Sequence, residues 1–218
     1  MLTVPEKCDT IILLGGLFWL PNFCIFIAIA KGAKLCYTES IWRKEGKVME
    51  YNDIYDENRN VTGRLHRRGR KWHKGEYGLV VCVWVYDGKG KVLMTKRAPG
   101  KSFAGTWENS GGAAQAGETS LQAIRRELFE ETGILAEESE FELLETGRDD
   151  NIFYDYYCLH RQTPIEQIVL LPGETCDAKW VTLDEVYKMV QRREICYVIS
   201  QQFLRQAPAL RKKQTAQD

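Results

Sequence analysis

Three glutamates on one predicted helix carry the most chemical information in this 218-residue sequence. Glu127, Glu130 and Glu131 recur at i, i+3 and i+4, so they fall within about 100° of arc on the helix surface. Like charges this close destabilise a helix unless a counter-charge lies among them. Oxygen ligands suit a hard divalent cation, Mg²⁺ or Mn²⁺, better than Zn²⁺, which takes His or Cys. The alternative interpretation is a solvated acidic face paired with Arg125 and Arg126.

The elements around these glutamates predict a mixed α and β domain. Thr119 and Gln122 form a capping box at the start of the glutamate helix, and Gly133 stands where a left-handed C-terminal cap would. A long functional loop, 98–117, precedes that helix. The other predicted elements are a β-hairpin of strands 77–86 and 92–97, strands at 141–146, 152–159 and 179–181, a helix capped by Thr182 and Glu185, and a last helix to about residue 204.

The spacing around the glutamate helix is more specific than the helix itself. The residues at fixed intervals are Gly112, Glu118, Arg126, Glu127, Leu128, Glu130, Glu131, Gly133 and Ile134. This pattern resembles the complete signature box of the Nudix hydrolase superfamily. The resemblance implies an α+β Nudix fold, in which a mixed β-sheet is sandwiched between α-helices. It also implies a divalent metal, bound by the box, that supports cleavage of a diphosphate.

The resemblance implies a role for each charged position of the box. Glu127, Glu130 and Glu131 correspond to metal ligands, and Glu118 to an outer or additional ligand of Mg²⁺ or Mn²⁺. Arg126 corresponds to their structural partner, because its guanidinium can orient a neighbouring carboxylate.

A carboxylate must also take the proton from the attacking water, and three residues compete for this role. Glu130 and Glu131 lie in the predicted metal cluster. Glu174 lies six residues before Trp180, in a loop that Nudix proteins often direct to the site. The sequence does not rank the three.

Three further residues are candidate substrate contacts. Arg97 ends the second strand of the predicted hairpin, where it is suited either to hold a phosphate or to form a salt bridge at the sheet edge. Trp107 is suited either to stack on a base or an isoprenoid tail, or to pack in the core. Gly112 permits a tight approach of the loop to the box, as Gly133 permits the helix to end.

A narrower resemblance covers residues 54–195 and points to the isopentenyl-diphosphate isomerase branch of the superfamily. It rests on the segments Tyr55-Asp56-Glu57, Lys96-Arg97-Ala98 and Trp107-Glu108-Asn109-Ser110. Isomerases of that branch use a cysteine just before the box and two metal-binding histidines. The corresponding positions here are Gly111, Ala113 and Gly78. The resemblance therefore implies shared architecture, and the hydrolase is favoured over an isomerase or a non-catalytic binding module.

Composition excludes some partners. Thirty Lys and Arg balance thirty Asp and Glu, so no overall field draws the chain to nucleic acid, and we expect no dedicated nucleic-acid partner. A small-molecule diphosphate must be held by a local site. The basic stretch 64–74 either steers polyphosphates or is a solvated ribbon. Seven scattered cysteines without a CxxC motif predict reduced thiols and a cytoplasmic location. The oligomeric state stays open, with a homodimer among the alternatives.

The first 48 residues have a different pattern from the rest. Residues 11–30 contain no charge and are long enough to cross a bilayer as a helix, which would leave the main domain on the cytoplasmic side. The alternative is that translation starts at Met49. In both cases residues 1–48 are an apolar extension, and the predicted Nudix hydrolase domain spans residues 49–218.

Overall fold

The computed structural model describes residues 19–20, 23–24 and 50–215. The chain divides into two compact units, Met1–Lys47 and Val48–Asp218. In the first unit, β1 (Trp19–Leu20) pairs antiparallel with β2 (Phe23–Cys24). The rest of the apolar segment 11–30 lies outside the described residues, so the membrane anchor stays a prediction. Among the residues that the structure describes, no helix is long and apolar enough to cross a membrane.

The larger unit is built on a mixed β-sheet. The strands are β3 (Tyr51–Tyr55), β4 (Val61–Arg67), β5 (Gly78–Tyr86), β6 (Lys91–Arg97), β7 (Trp107–Glu108), β8 (Ser110–Ala113), β9 (Glu142–Asp149), β10 (Ile152–His160) and β11 (Thr175–Thr182). The main sheet has the order β11-β6-β5-β10-β9, with β7 paired to β6 and β8 to β5. β10 runs parallel to β5, and the other pairs are antiparallel. β3 and β4 form a separate hairpin.

Helices cover both faces of the sheet. They are α1 (Ser120–Thr132), α2 (Leu183–Gln191) and α3 (Tyr197–Thr215). Successive residues of β5 point to opposite faces, so Val83 packs with Ile124 of α1 while Trp84 packs with Phe203 of α3. Burial on both faces explains the nearly continuous apolar run of β5. This arrangement is the predicted α+β fold, a mixed sheet between helices.

β5 and β6 form the predicted hairpin, but the two strands pair with each other only next to the turn. The paired residues of this ladder are Tyr86 and Val92, after which β8 lies beside β5 and β7 beside β6. The predicted loop 98–117 was therefore wrong in part, because it contains two strands. Gly111 allows the close approach: a Cβ there would meet the Val81 carbonyl oxygen well inside 3.0 Å.

Two other elements are longer than the sequence predicts. β11 begins at Thr175 rather than at 179, and α3 continues to Thr215 although Pro208 lies inside it. Proline disfavours a helix interior, which is why the sequence pattern ends this helix near residue 204. Ala207 and Leu210 are fully buried against the sheet, so packing of this face continues the helix past the proline.

Candidate active site

The local sequence of α1 sets the orientation of the box. The Thr119 side chain accepts from the Gln122 backbone N–H, and the Gln122 side chain accepts from the Thr119 N–H, which confirms the predicted capping box. Gly133 adopts φ 72° and its N–H donates to Phe129, which confirms the predicted C-cap. Leu128 is fully buried under the sheet. The two caps and this apolar face fix the direction in which the glutamates project.

Arg126 gathers three of the four predicted ligands. Its Nε lies 2.7 Å from Glu118 Oε1 and its Nη2 lies 2.9 Å from Glu118 Oε2. Its Nη1 donates to Glu127 at 2.9 Å and to Glu130 at 3.0 Å. Burial opposes the charge of Arg126, but the carboxylates more than offset this and raise its pKa. The predicted structural role of Arg126 matches these contacts.

The remaining carboxylate, Glu131, lies beside Glu127 under the two glycines of β8. Glu131 Oε2 accepts from the Gly111 N–H at 3.2 Å, and Glu127 lies against Gly112, in the space of a missing Cβ. Burial raises the pKa of Glu127 to about 7, although Arg126 counteracts it. Burial raises the pKa of Glu131 well above its ordinary value, and the charge of Glu127 raises it further. The positive charge near Glu127 and Glu131 is therefore too small to offset the burial of both carboxylates.

Glu108 is a buried carboxylate of this site that sequence reasoning missed. It forms an ion pair with Arg97 at 2.5 Å, and Arg97 Nε also donates to the Ser102 carbonyl at 2.5 Å. Burial raises the pKa of Glu108, and Arg97 partly offsets the shift. The salt-bridge alternative for Arg97 is thus present in the structure, and its contact with substrate phosphate stays a prediction. The signal for Glu108 in the sequence is its place in the segment Trp107-Glu108-Asn109-Ser110, which carries the resemblance to the isomerase branch.

Trp107 is placed in the core rather than in an open pocket. Its ring is 8% exposed, and the Lys179 Nζ lies 4.0 Å from the ring centroid. The backbone N–H of Trp107 donates to the Glu194 carbonyl at 2.8 Å, which ties β7 to the segment before α3. Stacking of Trp107 on a substrate stays a prediction.

Glu174 lies at the end of the loop that precedes β11. Its loop is anchored to the end of α1, because the Val169 N–H donates to the Thr132 carbonyl at 2.9 Å. The Glu174 carboxylate pairs with Lys101, and its charge reaches Glu108. Glu174 is therefore near the carboxylate cluster without belonging to the group held by Arg126.

The donor set fits a hard divalent cation. The carboxylate of the buried Glu131 accepts hydrogen bonds from the Gly111 backbone N–H and the Ser110 hydroxyl. Among residues 50–215, no Lys, Arg or His pairs with it. A buried carboxylate next to another one requires a cation or a proton. As they are placed, no three Asp, Glu, His or Cys side chains of the described residues form a metal-binding cluster. Glu118 and Glu130 are bonded to Arg126, whereas Glu131 is not, and the four-ligand set stays a prediction.

Two of the three positions that correspond to the isomerase residues, Gly111 and Gly78, have little room for side chains. A Cβ on Gly111 would meet the Cys82 Sγ at 2.7 Å, and a Cβ on Gly78 would meet the Trp72 ring at 2.6 Å. Cys82 itself is buried, and burial raises the pKa of its thiol far above the ordinary value. The structure therefore offers no reactive thiol at this point of the described chain.

Comparisons with known proteins agree with this geometry. The NUDIX domain family model matches residues 76–198, more than half of the chain. An uncharacterised Nudix hydrolase of Listeria monocytogenes is 35% identical over 140 residues, which cover 63% of this chain and 83% of that protein. A crystal structure from Deinococcus radiodurans, DR0079, shares the fold with a TM-score of 0.61 and 21% identity, covering 72% of this chain and 99% of that one. An isopentenyl-diphosphate Δ-isomerase of Pectobacterium atrosepticum is 32% identical over 83 residues, 37% of this chain and 46% of that protein.

The chain belongs to the Nudix superfamily, with the fold and the box described above. It is a Nudix pyrophosphohydrolase, an enzyme that acts on acid anhydrides in phosphorus-containing compounds. Its likeness to the isomerase branch covers a much shorter stretch and does not change this assignment.

Proposed function

We propose that this Nudix hydrolase cleaves the diphosphate linkage of a nucleoside diphosphate-linked or related small molecule, with Mg²⁺ or Mn²⁺ as its cofactor. The observation that carries the proposal is the buried Glu131 carboxylate beside Glu127, which pairs with no Lys, Arg or His among residues 50–215. Hard oxygen donors with excess negative charge favour these metals. The cation would be held by Glu127, Glu130 and Glu131, with Glu118 as an outer or additional ligand.

Phosphate chemistry explains why the site needs such a cation. A diphosphate reacts slowly with water because its charged oxygens repel a nucleophile. A bound divalent cation neutralises those oxygens and lowers the pKa of the attacking water. The proposal gives the side chains three tasks. Arg126, which contacts Glu127 and Glu130, keeps the ligands in place. One carboxylate accepts the proton, and the proposed substrate contacts are Arg97, Trp107 and Gly112.

The general base is one of three carboxylates. Glu130 and Glu131 are next to the proposed cation, whereas Glu174 reaches the site from the loop before β11 and must leave Lys101 to accept a proton. The Glu174→Gln variant separates this residue from Glu130 and Glu131, which are also proposed ligands. Loss of a ligand weakens metal binding, but loss of a base alone lowers kcat with unchanged metal affinity.

The free cysteines and the net charge bear on the cellular location and the partners of the enzyme. We propose a cytoplasmic enzyme, because all four cysteines that the structure describes as free, Cys82, Cys158, Cys176 and Cys196, are reduced thiols. The partner is a small-molecule diphosphate, and the balanced net charge favours no nucleic-acid partner.

The isomerase is the second candidate, favoured by the shorter likeness to an isopentenyl-diphosphate isomerase. The crowded Gly111 opposes it, because a catalytic thiol there would collide with β5. Solvent deuterium exchange into isopentenyl diphosphate separates the two candidates. We expect no exchange above the rate without enzyme, and faster exchange would favour the isomerase.

The hydrolase is tested with a panel of nucleotides, nucleotide sugars, coenzymes and isoprenoid diphosphates, each with Mg²⁺ and with EDTA. We expect Mg²⁺-dependent release of a phosphate product from at least one class. Glu127→Gln should lower turnover roughly a hundredfold with the fold retained. Equal turnover in EDTA would rule out the proposed mechanism.

A further inference from the structure

The β3–β4 hairpin precedes the residues matched by the family, yet it is attached to the box loop. The Ala116 N–H donates to the Tyr51 carbonyl at 2.9 Å, and Asn52 Nδ2 donates to the Ala114 carbonyl at 2.6 Å. The Gly117 N–H donates to Asp53 Oδ2 at 2.7 Å. One backbone bond and two side-chain bonds therefore hold the hairpin against the loop that leads into the box helix.

Arg68 follows β4 and forms an exposed ion pair at this attachment. The Arg68 guanidinium pairs with the Glu50 carboxylate, and the Arg68 backbone N–H donates to the Glu50 carbonyl at 3.0 Å. The side chains of Arg68 and Glu50 are 59% and 41% exposed. An exposed pair contributes little stability, so a ligand can replace Glu50 at little cost.

Arg68 also lies within electrostatic reach of both sides of the site. The hydrogen bond that Arg68 donates to Glu50 raises the pKa of Arg68 most, and the charges of Glu127 and Glu174 raise it further. These two carboxylates belong to α1 and to the loop before β11, the two elements that border the site. The charge of Arg68 therefore acts on carboxylates of both elements, and the bonds between the hairpin and the box loop hold Arg68 on this side of the domain.

The other two arginines of the site, Arg97 and Arg126, already form ion pairs with buried or half-buried carboxylates. Arg126 holds three carboxylates, and Arg97 holds the buried Glu108. Removal of either from its partner would leave a buried carboxylate without its cation, which is costly. Arg68 differs because its partner is exposed to solvent.

We propose that Arg68 is a substrate-binding residue, which leaves Glu50 when substrate enters and donates to a non-bridging oxygen of the diphosphate. The planar guanidinium suits this contact, because its two N–H groups match two phosphate oxygens. Glu50 then competes with the diphosphate for Arg68 and pairs with Arg68 when no substrate is bound. This inference rests on the proposed function, since it requires a diphosphate at the box.

The test is calorimetric binding of imidodiphosphate, a diphosphate analogue with a P–N–P bridge, to the full chain in saturating Mg²⁺. Arg68→Gln should weaken binding roughly tenfold or more, the usual scale for loss of a charged hydrogen bond. Arg68→Lys keeps the positive charge but loses the planar pair of N–H donors, so its affinity for imidodiphosphate should lie between those of wild type and Arg68→Gln. Glu50→Gln should strengthen binding a few-fold, and this gain should vanish in the Arg68→Gln background.

The control is Arg67→Gln, which removes the same charge from the exposed neighbouring residue. It should change the affinity for imidodiphosphate less than about threefold, as expected for general attraction of an anion. If Arg68→Gln binds like wild type, or if Arg68→Gln and Glu50→Gln weaken binding equally, the pair is only structural and the inference is wrong.

Failure of this inference is distinct from failure of the proposed function. Wild-type protein that hydrolyses a diphosphate and binds imidodiphosphate, with no change on Arg68→Gln, refutes the role of Arg68 alone. Wild-type protein that does neither refutes the proposed function and this inference with it.

Discussion

The Glu127 carboxylate fills the space that a Cβ on Gly112 would occupy. The two residues belong to α1 and β8, so this contact joins the box helix to the strand that precedes the box. The position of the Glu127 carboxylate requires glycine here, since Gly112 has no positive φ that would explain it.

Gly112→Ala should therefore displace Glu127 while the fold persists. We expect turnover to fall roughly 10- to 100-fold, because displacement of a reacting group by about 1 Å has effects of this size. Gly90→Ala is the control, since Gly90 has open space around it and lies in the β5–β6 turn. It should lose a little stability and keep full activity. Equal activity of the two variants would show that the Glu127 position is unimportant.

Arg126 should be the largest single electrostatic contribution to the stability of the box. Arg126→Gln leaves Glu118, Glu127 and Glu130 without their cation, so the free energy of unfolding should fall by about 3–5 kcal/mol. Added Mg²⁺ should restore part of this loss. Chemical denaturation with and without Mg²⁺ measures both effects.

The neighbouring Arg125 gives the matched control for that variant. Arg125 pairs with the exposed Glu137 at 3.6 Å, so Arg125→Gln should cost less than about 0.5 kcal/mol. Comparable losses for the two variants would contradict the role given to Arg126.

The sequence predicts the box helix well because its signals are local. The caps at Thr119 and Gly133 and the apolar stripe through Leu128 lie within fifteen residues, so pattern alone places the carboxylates. The Arg97–Glu108 pair could not be predicted, because it depends on β7 inserting beside β6. The β3–β4 hairpin was missed for a related reason: its β4 residues are mostly exposed and show no apolar alternation.

Stability in acid should depend on Asp155, which lies on β10 behind α1. Burial alone would raise the pKa of Asp155, but hydrogen bonds from Arg59, Ser120 and Thr146 more than offset this, so its pKa is lowered on folding. A lowered pKa stabilises the fold above the unfolded value, about 3.9, and the contribution is lost as pH falls through the folded value.

Asp155→Asn should therefore be less stable than wild type at pH 7, and the difference should shrink below about pH 4. Urea denaturation between pH 3 and pH 7 measures this, with Asp150→Asn, an exposed residue in a turn, as the control. A difference between wild type and Asp155→Asn that stays constant with pH would contradict the assigned interactions.

The domain boundary predicts two different outcomes for shortened chains. A chain that starts at Met49 keeps the bonds from Tyr51 and Asn52 to the box loop and should be soluble and fully active. A chain that starts at Gly75 loses those bonds and should have lower activity and stability. Size-exclusion chromatography and turnover measure both. If the chain from Met49 aggregates while the full chain does not, residues 1–48 are needed and the boundary is wrong.

Hydrolysis in ¹⁸O-labelled water tests the central claim most directly, because it identifies the atom that the water attacks. With Mg²⁺ and a substrate from the diphosphate panel, we predict one ¹⁸O atom in a phosphate-bearing product, and no turnover in EDTA or with Glu127→Gln above about one hundredth of the wild-type rate. Label in the product without phosphate, or undiminished turnover in EDTA, would contradict metal-dependent attack on phosphorus at the box.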